Sequence, residues 1–267
     1  MTRVETVATT AEAARILSDG AAYLGGGTML MRAVNAGTAP PRLVRTADPV
    51  LRAVSARGDT VTVGAGVTMA RILAEPQLDF LHPVARAVGS PQIRNMATVG
   101  GNLFAPHPYG DFAVALLALG ARARMAGAGG TRPLDDLLRD RDRPGGLVEA
   151  VEIPRPPARA FRFHKVSRVK PRGVSVISIA VLAPSPGGKL AGVRVAYGAM
   201  GPTPLRAAAV ERVLEGGRLD QAARERAVAV AAEGLDPPTD ALASGWYRGE
   251  VAGVHLGRLL ARMEEGR

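Results

Sequence analysis

Three consecutive glycines, Gly25-Gly26-Gly27, follow directly on the short apolar run Ala21-Ala22-Tyr23-Leu24. A regular element does not run through such a triplet, because glycine loses the most conformational freedom on ordering and has no side chain to pack. The apolar segment stops there and the backbone turns with nothing projecting from it. Such a turn, with Thr28 after it, can present successive N–H groups and a hydroxyl to an anion such as a pyrophosphate. A plain tight turn ahead of a helix would use the same residues. Thr98-Val99-Gly100-Gly101-Asn102 reads as a second such loop. Its glycines clear space for a close approach, and Thr98 and Asn102 offer hydrogen bonds at its edges. The Gly25 loop is not a dinucleotide fingerprint, and neither is the turn Gly64-Ala65-Gly66. G-x-G-x-x-G begun at Gly25 would need glycine where Leu30 stands, and begun at Gly64 where Met69 stands. No Walker A sequence occurs.

The chain has 267 residues, which suggests about two domains. It contains no cysteine, which excludes disulfides, thiolate zinc sites, a catalytic thiol and cysteine-ligated iron–sulfur clusters on this chain. His82, His107, His164 and His255 show no metal-ligand spacing. The net charge of +10 invites a nucleic-acid reading, but the basic residues are scattered. Their densest stretch, residues 155–172, has no RNP-like order, and an aromatic content of 4% leaves few stacking platforms. No nucleic acid is expected. No apolar run approaches the roughly 18 residues of a membrane span, and the N-terminus, with Glu5 and Glu12, lacks a signal-peptide core. A soluble, cytoplasmic protein is expected.

The proline-rich stretch 154–157 marks a domain edge, giving residues 1–157 (lobes of about 1–56 and 57–157) and 158–267. In the first part, Thr10 precedes an amphipathic helix as its cap. The alternation Thr60-Val61-Thr62-Val63 predicts a strand, followed by the turn Gly64-Ala65-Gly66 and a helix capped by Thr68. In the second part, 161–165, 174–181 and 192–199 predict a three-stranded antiparallel sheet, followed by helices over 205–214, 221–232 and 247–263. Asp111 precedes the apolar helix 112–119. It suits either a helix N-cap or an acceptor for ligand hydroxyls.

The stretch ATVGGNLFAPHPYGDFAVALLALGA, residues 97–121, closely resembles the flavin-binding motif of the FAD subunits of molybdenum hydroxylases, the carbon monoxide dehydrogenase and xanthine dehydrogenase type. The resemblance covers nearly the whole chain. Leu24-Gly25-Gly26-Gly27-Thr28 is similar to the family's first flavin loop, and Val63-Gly64-Ala65-Gly66-Val67-Thr68 to the strand–turn–helix between the loops. Phe163-His164-Lys165-Val166-Ser167-Arg168, the segment from Tyr197 through Ala207, and Trp246-Tyr247-Arg248 resemble parts of the C-terminal domain.

This resemblance implies an α+β fold with a two-lobed FAD-binding domain of the vanillyl-alcohol-oxidase type. It places the FAD pyrophosphate against Gly25, Gly26, Gly27 and Thr28 and against Thr98, Val99, Gly100, Gly101 and Asn102, with Leu24 and Met29 as flanking cofactor-binding residues. Asp111 would face the ribityl chain or flavin edge, Val148 would make a backbone contact and Val174 would lie by the ring. Lys165 would be a cation near the cofactor, unless it is a solvated strand residue. Gly100→Val or Gly101→Val would then abolish FAD binding and spare the fold. The pattern departs from the family's usual residues at Met29, at Gly173, where an acid is usual, and at Val174. His107 and Tyr109 are bulkier than the usual residues before the aspartate and read as loop residues, the alternative being that they shape a substrate or docking site. The implied role is electron transfer, with no catalytic acid or base on this chain. A molybdenum-cofactor large subunit and an iron–sulfur small subunit would feed this FAD, which passes electrons to NAD, a quinone or oxygen. The alternative is a stand-alone FAD-dependent oxidoreductase acting on a small molecule.

Overall fold

A computed structural model describes residues 2–142, 145–169 and 173–266. The last three residues of the basic stretch 155–172 therefore lie outside the described residues. Contacts divide the chain into two compact units: Met1–Asp79 with Ser90–Ala105 and Ala121–Pro154, and Phe80–Gly89 with Pro106–Gly120 and Arg155–Arg267. The division is not linear in sequence, because two short segments of the first 157 residues, carrying helices His82–Ala87 and Asp111–Ala118, group with the C-terminal part.

The first unit holds two sheets. β1 (Arg3–Val7), β2 (Ala22–Tyr23) and β3 (Arg42–Thr46) form a parallel sheet in the order β1-β3-β2. Helix Thr10–Ser18 lays Ala13 and Ile16 against Val44 of this sheet and Leu147. Its cap is Thr9, one residue earlier than expected. The sequence Thr9-Thr10-Ala11-Glu12 closes a capping box, in which Thr9 accepts from the Glu12 N–H and Glu12 accepts from the Thr9 N–H. Thr10 instead donates its hydroxyl to Glu149. The second sheet is antiparallel, with β4 (Val54–Arg57), β5 (Thr60–Gly64), β6 (Arg122–Met125), β7 (Thr131–Pro133) and β8 (Val148–Pro154) in the order β4-β5-β8-β6-β7. The predicted strand, glycine turn and Thr68-capped helix (Met69–Ala74) are present.

The second unit is built on an antiparallel sheet of four strands, not the expected three: β9 (Phe161–Ser167), β10 (Ser175–Leu182), β11 (Arg194–Gly198) and β12 (Leu205–Arg206), in the order β12-β11-β10-β9. Residues 205–206 pair with β11 before helix Ala208–Leu214 begins, so the expected helix 205–214 starts late. Ile177, Ile179 and Val181 of β10 pack on one face against Val210, Leu256, Leu259 and Leu260 of the helices. Helix Asp111–Ala118 is buried along its entire length, as its all-round apolar sequence requires. A Cβ on Gly198 would lie 2.6 Å from Val114 Cγ2 of this helix and 2.4 Å from Ser178 Oγ, on the sheet's other face. Among the described residues no helix is long and apolar enough to cross a membrane.

Candidate functional site

β2 ends with the Leu24 N–H donating to the Val44 carbonyl at 2.8 Å. Beyond it, among the described residues, the N–H groups of Gly25, Gly26, Gly27, Thr28 and Met29 donate to nothing in the chain. Bonding resumes where the Met31 N–H meets the Gly27 carbonyl at 3.0 Å. Glycine is required twice in this turn. Gly27 has φ +72°, and a Cβ on Gly26 would lie 1.6 Å from the Met96 carbonyl oxygen. Gly25 is exposed and faces only ordinary contacts, the nearest being Thr98 Oγ1 at 3.4 Å.

The 98–102 segment is not a second loop of free donors. It is the start of helix Val99–Leu103, with Thr98 as its cap. Thr98 Oγ1 accepts from the Gly101 N–H at 3.1 Å. The N–H groups of Val99, Gly100 and Asn102 go to Val67, Ala65 and Thr98 carbonyls at 2.9, 2.8 and 3.0 Å. Helix starts ordinarily leave such donors open; here the 64–67 turn beneath takes two of them. The two glycines differ in kind. A Cβ on Gly100 would press on Ala65 Cβ and carbonyl at 3.0 and 3.1 Å, so Gly100→Val strikes the fold as well as any ligand. Gly101 is exposed, and its Cβ would meet only the Thr98 hydroxyl. Val148 is buried at the start of β8, opposite Met125. Its neighbour Glu149 accepts from the Ala65 N–H at 2.8 Å.

In the second unit Gly110, at φ 98°, caps helix Asp111–Ala118, and Asp111 is its first residue with no capping bond of its own. Its Oδ2 meets Lys165 Nζ at 2.8 Å and its Oδ1 accepts from Ser175 Oγ at 2.6 Å. Lys165 also donates to the Ala87 carbonyl at 3.0 Å. The two side chains are 9% and 12% exposed. Neither an N-cap nor a solvated strand lysine, they form a nearly buried ion pair, and the cation expected of Lys165 is matched by an anion. Val174 is half-buried just ahead of β10. At Gly173 a Cβ would lie 2.4 Å from the Val169 carbonyl oxygen, so an acid at that position needs a different turn.

His107 is fixed, with Nδ1 3.2 Å from the Gly201 carbonyl and Nε2 2.8 Å from Asp240 Oδ2. Asp240 also accepts two bonds from Arg248, at 2.9 Å each, and the N–H groups of Leu242 and Ala243. Arg248 is fully buried. The sequence reading missed this network, although Arg248 precedes Ala252 and Leu256 on the buried face of helix Gly245–Glu265. A charge at that spacing was the available signal.

Burial pushes the Asp240 pKa up, but bonds from His107, the Leu242 N–H, Arg248 and the Ala243 N–H outweigh it and hold it well below the usual carboxylate value. A depressed folded pKa gives stability that is present above the unfolded value of about 3.9 and is lost as pH falls through the folded value. Asp240→Asn should therefore cost about 2 kcal/mol at pH 7. Urea unfolding should show the gap from wild type narrowing below about pH 4; a gap independent of pH would refute the assignment.

Residues 1–156 match the family model described as the FAD binding domain in molybdopterin dehydrogenase. Residues 162–263 match the CO dehydrogenase flavoprotein C-terminal domain. The medium chain of carbon monoxide dehydrogenase from Afipia carboxidovorans is 30% identical over 220 residues, 77% of this chain and 75% of that one. The glyceraldehyde dehydrogenase medium chain of Sulfolobus acidocaldarius is 30% identical over 190 residues, 68% of this chain; the match spans 66% of the relative's own length, just under two thirds. A chain in the structure of carbon monoxide dehydrogenase from Hydrogenophaga pseudoflava lacking the Mo-pyranopterin moiety superposes with a TM-score of 0.90, over 99% of this chain and 97% of that one. At 24% identity that likeness speaks for the fold. With more than half its length inside the first model, the chain belongs to the family of FAD-binding domains in molybdopterin dehydrogenases, and is an FAD flavoprotein of the oxidoreductase class.

Proposed function

We propose that this chain carries FAD as the electron-transfer subunit of a molybdenum-containing hydroxylase or dehydrogenase, with residues 1–157 as a flavin domain of the vanillyl-alcohol-oxidase type and 158–267 as a second domain. The observation that carries the reading is the row of five N–H groups from Gly25 through Met29 with no acceptor among the described residues. A diphosphate needs such donors and no side chain in its path. The Thr28 hydroxyl adds a donor, and the bare backbone at Gly101 permits close approach. At the edges, Asn102 spends its Nδ2 on the Thr98 carbonyl and keeps its oxygen to accept. The resemblance supports Asp111, Val148, Lys165 and Val174 as further contributors. An ionised Asp111 only accepts hydrogen bonds, which suits ligand hydroxyls or N–H groups.

Bound FAD supplies a carrier that takes two electrons together or one at a time. The chain's own part is to bind and orient it. Having no cysteine, this chain leaves iron–sulfur clusters to a partner. A small iron–sulfur subunit and a large molybdenum subunit are the proposed partners, with NAD, a quinone or oxygen as acceptor.

The test is a visible spectrum of the purified chain titrated with FAD, followed by candidate small-molecule reductants under air. Gly25→Ala should bind FAD about tenfold more weakly with an unchanged apoprotein melting temperature, since its Cβ meets nothing closer than 3.4 Å. A bound flavin that no small molecule reduces supports the relay. Reduction of the isolated chain by a small molecule would replace it with a stand-alone oxidoreductase, and failure to take up flavin would remove both readings.

A further inference from the structure

We propose that Ser175 is a positioning residue for the flavin, acting through Asp111; this rests on the proposal above that Asp111 serves FAD. As the first residue of helix Asp111–Ala118, Asp111 would by its position turn its carboxylate toward the open N–H groups of that helix start. It turns to the sheet instead, and two donors hold it there. Lys165 Nζ takes Oδ2 at 2.8 Å and the Ser175 hydroxyl donates to Oδ1 at 2.6 Å.

Lysine alone would not set the carboxylate. With only Oδ2 held by an ammonium, the carboxylate plane can still tilt about that single contact. Ser175 gives the second oxygen its own donor, so the plane of the group is fixed and each oxygen keeps accepting capacity.

The backbone is arranged for this contact. Ile177, Ile179 and Val181 face the helical core, and strict alternation would send Ser175 the same way. The β9–β10 register shifts between Ser175 and Ile177, a bulge-like irregularity that reverses the parity. Ser175 therefore stands opposite Ser167, while Ser178 stands opposite Lys165. Those β9 residues are two apart, so all four share the face that carries the ion pair. Re-aiming one side chain is what a bulge does to a strand. Ser175 is 1% exposed, and Asp111 is the partner its hydroxyl has found.

The experiment compares Ser175→Ala, Ser175→Thr and Asp111→Asn in the full chain, reading FAD affinity, the spectrum of bound flavin, its midpoint potential and the apoprotein melting temperature. Ser175→Ala should weaken FAD about tenfold and alter the spectrum. It should also move the potential negative, because a carboxylate with one donor fewer is the stronger local anion. Ser175→Thr, which keeps the hydroxyl, should restore all three. If Asp111→Asn changes these readouts and Ser175→Ala does not, the positioning role falls and the FAD role of Asp111 stands. If Asp111→Asn changes none of them, the FAD role falls and takes the proposal with it. A loss in Ser175→Ala that threonine does not restore, or that follows melting temperature alone, also overturns it.

Discussion

Gly26→Ala should weaken FAD binding by at least about 100-fold, or about 2.7 kcal/mol, and destabilise the apoprotein by about 2 kcal/mol. The added methyl would sit 1.6 Å from the Met96 carbonyl oxygen and 2.6 Å from its carbon. Both are backbone atoms, so no rotamer relieves the overlap. One of two segments has to move. The 96–98 segment is held from several sides: the Ala97 N–H donates to the Ile93 carbonyl at 2.7 Å, the Met69 N–H donates to the Ala97 carbonyl at 2.9 Å, and Thr98 bridges to Thr68. Among the described residues the 25–29 turn has no comparable ties, because its five N–H groups are uncommitted. It is therefore the turn that lifts, and with it the donors scatter. Titration with FAD and thermal melting of the apoprotein check both parts. Affinity within threefold of wild type in a folded Gly26→Ala protein would mean that this turn is not the cradle.

That turn was legible in the sequence because a glycine run has backbone consequences that are written locally. The Gly64 turn and its Thr68 cap were legible for the same reason: strand, turn and cap are signalled within ten residues. Partners distant in sequence were not. Whether the N–H groups at 98–102 face a ligand or the chain depends on residues 64–67 lying beneath them, which no local pattern states. Two residues are too short for periodicity, so Leu205-Arg206 read as helix and became a strand by pairing with β11. The all-apolar helix after Asp111 announced burial but not its neighbours. Its grouping with the C-terminal part is what brings Asp111 to Lys165 and Ser175, making an ion pair of a residue that alone suits either a cap or a ligand acceptor. The Thr9 cap, by contrast, was written locally as Thr-x-x-Glu and is one position from the threonine first chosen.

Lys165→Met should cost the apoprotein about 3–5 kcal/mol, and the double variant Asp111→Asn/Lys165→Met should cost clearly less than the sum of the two single changes. The single change leaves a carboxylate that is 9% exposed with Ser175 as its remaining side-chain donor, and an unpaired charge in that setting is what makes broken buried pairs expensive. Asp111→Asn strands the ammonium with the Ala87 carbonyl, a neutral acceptor. Removing both charges together removes the uncompensated charge, so a coupling of about 2 kcal/mol or more is expected from urea unfolding at neutral pH. The same cycle decides what Lys165 offers the cofactor. A strongly coupled pair is nearly neutral as a unit, and its contribution to FAD is then the orientation of Asp111 rather than a net positive field. Additive single and double variants would show two independently solvated groups, leaving the lysine's charge available to the flavin as the family resemblance implied.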